Sequence, residues 1–161
     1  MSGVGMWTVL LPVLVGGALG IAGSFVGPYA LQRLKDATEK KRKRAEKCEE
    51  LVAAVVEHSQ WIGALRFFTI SGQGSLPTLS PITKIEAITS TYFPEFEVLV
   101  RQLDSASNKY EMWILSTGQK RVKNEPGYEN LVGHDEVVTQ YADKRAEFLT
   151  ELRRFARREF Q

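Results

Sequence analysis

The pattern of apolar and polar positions changes once along this chain, near residue 33. Before that point there is no periodicity, because no Asp, Glu, Lys or Arg occurs from Met1 to Gln32. The 23 residues from Trp7 to Tyr29 would span about 33 Å as a helix, enough to cross a hydrocarbon core of about 30 Å. Trp7 and Tyr29 stand at its two ends, where amphipathic rings favour the headgroup level. The run predicts one transmembrane helix. A cleaved leader is the weaker reading, since no basic residue precedes the run and it is longer than a leader's apolar region. A buried helix of a soluble domain is weaker still, because the remaining chain is a small host for it.

Beyond residue 33 the apolar positions recur every three or four residues, the spacing of one helical face. Residues 33–70 hold no Pro and a single Gly, Gly63, so the first helix should continue as one rod of some 60 residues. Its stripe is Leu51, Ala54, His58, Trp61, Leu65 and Phe68, widened by Val55 and Ile62. Residues 71–80, rich in Gly, Ser and Pro, read as a loop. The loop lacks the Gly-x-x-x-x-Gly-Lys-Ser/Thr spacing of a phosphate cradle. Ser80 and Pro81 start a short helix carrying Ile82, Ile85 and Ile88 and ending near Tyr92. Pro94 opens the next, buried through Phe96, Leu99, Val100, Leu103, Tyr110, Trp113 and Ile114, which Gly118 should stop. Tyr92, Phe93 and Phe96 should plug the core at the junction. A loop over 118–133 then leads to a last helix from about Asp135 to Phe160. Its stripe is Val138, Tyr141, Phe148, Leu152, Phe155 and Phe160. The fold class expected is all-α: an N-terminal transmembrane helix (1–32), a basic juxtamembrane segment (33–48) and a cytoplasmic antiparallel bundle of about four helices (49–161).

Charge sets the expected topology. Residues 33–47 hold eight basic and three acidic residues, a local excess of +5 within a chain of net charge +2. An excess of Lys and Arg marks the cytoplasmic flank, placing the N-terminus outside and the bundle in the cytoplasm, at an inner or plasma membrane. Lys40, Lys41, Arg42, Lys43 and Arg44 would hold anionic lipid headgroups there. The rest of the chain carries −3, which argues against nucleic acid as a partner. Within the apolar run, Gly16, Gly20, Gly23 and Gly27 fall on one helical face. Two small-xxx-small units there predict a homo-oligomer formed through the membrane helix.

Candidate chemistry is sparse. One cysteine, Cys48, excludes a disulfide within the chain and reads as an ordinary free thiol. His58 and His134 are the two histidines, and no acidic cluster at ligand spacing accompanies them, so neither a metal nor a cofactor is expected. His134-Asp135-Glu136 reads as the start of the last helix. With no serine elbow, HExxH or Cys-x-x-Cys, the chain reads as a non-enzymatic assembling protein. The architecture fits a membrane-perturbing effector of toxin or defence type. It also fits a tether or scaffold for a protein partner. A third class is a sensor that takes an anionic small ligand such as a nucleotide on Lys120, Arg121, Lys123, Arg153, Arg154 and Arg157.

Overall fold

The computed structural model describes the backbone of residues 4–75, 77–125 and 132–160, with side chains described from Tyr29 onward, Ala30 excepted. These residues are helical apart from short turns and loops, with four α-helices: α1 (Val4–Arg66), α2 (Ile82–Tyr92), α3 (Glu97–Val122) and α4 (His134–Phe160). The chain forms two compact units, Met1–Lys43 and Arg44–Gln161.

In the first unit the backbone is helical from Val4, and the side chains described from Tyr29 to Lys43 are exposed. Arg33 lies over the Tyr29 ring at 5.1 Å, and the Thr38 hydroxyl donates to Leu34 O at 2.8 Å. Among the described residues no helix is long and apolar enough to cross a membrane. The side chains of 4–28, which carry the apolar run, lie outside the described residues.

The second unit is a bundle whose strand-free core follows from the stripes. Leu51, Val55 and Ile62 of α1 meet Ile85 of α2, Leu103 and Ile114 of α3, and Phe148 and Leu152 of α4, all buried. Side-chain pairs fix the helix directions. Arg44 bonds Glu95, His58 bonds Ser107 and Thr69 abuts Gly118, so α1 and α3 run parallel. Lys84 faces Glu50 and Glu57 while Lys47 covers the Tyr92 ring, so α2 runs against α1. Phe96 meets Phe155, Lys144 donates to Gln102 and Trp113 meets the His134 ring at a tilt, so α4 runs against α3. The order is up-down-up-down, with the loop after α1 returning along it; the Trp61 indole donates to Thr78 O at 3.1 Å.

Two boundaries gain detail over the sequence reading, and a third differs from it. The bundle begins at Arg44, so Arg44 to Cys48 belong to it and Cys48 is buried, its thiol pKa raised by that burial. The first helix ends in a π-helical turn, Phe67–Ser71, closed by Gly72 at φ 72°, whose N–H returns to Phe68 O. Most clearly, Gly118 does not stop α3, which continues to Val122. It is a buried crossing point: a methyl there would run into Thr69 Cγ2. Glycine was needed for close approach of two elements, a demand that local sequence cannot distinguish from helix termination.

The junction between α2 and α3 is built as expected. Phe93 leaves helical geometry at φ −141°, Pro94 opens a 3-10 turn, and both Phe93 and Phe96 are buried against Phe155. Arg44 lies over the Phe93 and Phe155 rings at 5.4 and 5.3 Å. Its guanidinium also pairs with Glu95 at 2.9 Å.

Candidate functional site

The apolar stripe of α1 carries one imidazole, and the stripe of α3 carries a hydroxyl and a carboxylate one turn apart. The bundle brings them together. His58 is fully enclosed; its Nε2 lies 2.8 Å from Ser107 Oγ, which donates to Glu111 Oε1 at 3.0 Å. Ser80 Oγ lies 3.4 Å from His58 Nδ1. Because Ser107 donates to the carboxylate, it accepts from His58 Nε2–H, which leaves Nδ1 to accept from Ser80. The chain of bonds therefore runs one way, from the loop through α1 to α3. Trp61 stacks on the imidazole at 5.9 Å and Tyr141 of α4 meets it edge-on at 6.0 Å. Beside them, Arg145 of α4 bonds Ser59 of α1.

Burial decides the electrostatics of this cluster. Loss of solvation holds the His58 pKa down at about 4, so the ring is neutral at pH 7. Burial raises the Glu111 carboxyl and pushes the Tyr141 phenol up to about 12. Stacked on Trp61, met edge-on by Tyr141 and bonded to Ser80 and Ser107, His58 acts as a polar pin joining three helices and a loop. The sequence placed His58 on the core stripe. It did not reveal Ser107 and Glu111 as partners, although a Ser among Leu103, Ala106 and Tyr110 was the available signal.

The second feature lies at the other end of the bundle from Arg44. Where the π-helical turn crosses α3 at Gly118, a groove of about 440 Å³ opens to solvent, with a mostly apolar lining. Its apolar lining comes from Phe68, Thr69, Leu115, Gly118 and Val122, and its polar lining from Gln119, Arg121 and Lys123. Leu115 and Val122 are 44% and 75% exposed, on helix positions where a monomer would place polar side chains. The Arg121 guanidinium packs over Gly72, and its Nε is enclosed with no hydrogen-bond partner among the described residues. A π-helical turn is uncommon and is frequent at functional sites.

The sequence-predicted residues divide between places. Gly16, Gly20, Gly23 and Gly27 lie outside the residues whose side chains are described. Lys40, Lys41, Arg42 and Lys43 are exposed on α1 in the first unit. Arg44, read with them as a lipid contact, is bonded to Glu95 and lies over two aromatic rings in the bundle. The six cations assigned to an anionic ligand do not meet. Arg121 and Lys123 line the groove and Lys120 is exposed outside it. Because α4 runs against α3, Arg153, Arg154 and Arg157 stand at the far end of α3, beside Phe96 and Phe155. The intervening 25 residues of α3 rise roughly 37 Å. Arg154 there pairs with Glu151 at 2.6 Å. Part of the 118–133 loop, residues 126–131, lies outside the described residues. Among the described residues no group of three or more His, Cys, Asp or Glu is placed to hold a metal ion.

Comparison of the chain with protein-family models, with curated proteins and with solved structures finds no match. Function therefore rests on these residues and their geometry.

Proposed function

We propose that this chain is a single-pass membrane protein that self-assembles through its apolar helix and holds a protein partner on its bundle. The observation that carries the reading is the uncharged stretch Met1–Gln32 followed at once by the basic run 33–47. An uncharged apolar run of this length is stable in hydrocarbon, and the basic flank fixes the bundle on the cytoplasmic side. Lys40, Lys41, Arg42 and Lys43 then face anionic headgroups, each contributing about 1 kcal/mol close to the surface. The glycine face supplies association, because backbones that approach closely gain dispersion contacts without needing a hydrophobic driving force. Clustered membrane helices of this kind are one form that a membrane-perturbing effector takes.

The test is the mass of the full chain in mild detergent beside a variant with Gly20→Leu and Gly23→Leu. The expected result is a defined oligomer for the native chain and a monomer for the variant. Equal masses would remove self-assembly and leave a monomeric tether. That second reading is favoured by the groove at the Gly118 crossing, which gives the bundle a surface for a partner whether or not the anchors cluster. The single-site sensor of anionic small molecules loses its basis, since its two groups of cations stand at opposite ends of α3.

A further inference from the structure

We propose that the groove at the Gly118 crossing docks an acidic amphipathic helix from a partner protein. This names the partner class for the bundle's half of the reading above, and it stands independently of the anchor. Charge complementarity selects the occupant. The residues lining the groove include two cations, Arg121 and Lys123, and no carboxylate. Among the described residues, Glu125 pairs with Lys123 at 4.0 Å. The floor is apolar, so a helix laid there places two or three aliphatic side chains against Phe68, Leu115 and Val122. Its flanking carboxylates then meet the two cations.

Shape argues for a helix over a small ligand. Pockets for small molecules enclose most of the ligand, whereas this groove is open along one side. Gly118 contributes to that shape directly: without a side chain, it lets Thr69 close onto α3 and keeps the floor low. Gly72 does the same at the edge, since a methyl on it would displace the Arg121 guanidinium. Lys120 is exposed and does not line the groove.

The test uses the full chain in nanodiscs of neutral phosphatidylcholine or, if alkaline extraction shows that it is not anchored, free in buffer. The probe is a short, fluorescein-labelled synthetic helix with Leu on one face and Glu on the flanks, compared with the same helix carrying Lys in place of Glu. Anisotropy should show the acidic helix binding at least tenfold more tightly than the basic one. Arg121→Gln combined with Lys123→Gln should weaken it about tenfold, and Val122→Asp should abolish it. Val122 is largely exposed, so that variant keeps its thermal unfolding midpoint. Equal binding of the two helices, or none, overturns the proposal. So does a concentration-dependent dimer that Val122→Asp disperses, which would assign the face to a second copy of the chain. Displacement of the acidic helix by a fatty acid, with no effect of the two Gln substitutions, would assign it to a small amphiphile and overturn it equally. None of these outcomes bears on membrane anchoring, which is read by extraction.

Discussion

The His58 imidazole is neutral because the bundle leaves it no water, and that sets a sign for stability against pH. Its folded pKa, about 4, lies below the ordinary value of 6.5, so protons bind the unfolded chain more tightly. The contribution is complete above pH 6.5 and is lost as pH falls through 4, by ~3 kcal/mol in all. Glu111 acts in the opposite sense. Its raised pKa favours the protonated fold in acid and returns part of the loss, while Tyr141, pushed up to about 12, stays protonated across this window. Denaturant unfolding followed by tryptophan fluorescence from pH 7 to pH 4 should show the His58→Gln variant less stable at neutrality. Its deficit should shrink towards pH 4, and a constant deficit would contradict the burial argument. At the opposite end of the core, Phe93→Ala removes a ring held by Phe96, Phe155 and Arg44, and should cost about 3–5 kcal/mol in the same assay. Both buried side chains were legible in the sequence, His58 from its place on the stripe and Phe93 from the proline after it. The partners of His58 were not, since Ser107 and Glu111 come from 49 and more residues away.

Among the elements, α1 was the most legible. Without an internal break from residue 29 to 66, the chain has nothing to end a helix, and it runs Val4–Arg66 in 63 residues. The start of α2 was legible from Ser80, whose hydroxyl accepts from Ile82 N–H at 3.4 Å. The end of α3 was misread because Gly118 answers to Thr69, an element away. Gly118→Ala should therefore destabilise the bundle by about 1–3 kcal/mol through overpacking, although alanine is the better helix former. Thr69→Ser, which deletes the colliding methyl, should restore part of that loss in the double variant. Thermal melts of the four proteins decide it. A Gly118→Ala chain as stable as the native one would mean that the crossing carries no tight contact. The groove beside it was not legible either, because Leu115 and Val122 look like incidental apolar residues until the π-helical turn is seen to stop beside them.

At the scale of the molecule, helix direction sorts the charges. Parallel α1 and α3 bring the basic end of α3 to the end of the bundle remote from Arg44, and antiparallel α4 carries its arginines back to Arg44. The sequence showed both clusters as charge and neither as a place, because only the helix order separates them. The uncharged run at the N-terminus serves as an anchor in the proposed function, and the most direct measurement of that is alkaline extraction of membranes holding the full chain. The native chain should stay with the membrane pellet. A variant with Val15→Arg and Leu19→Arg should pass largely to the supernatant, since each charge at mid-bilayer costs roughly 2.5–3.5 kcal/mol on insertion scales. A native chain released into the supernatant by alkali would contradict the anchor and, with it, assembly through the glycine face.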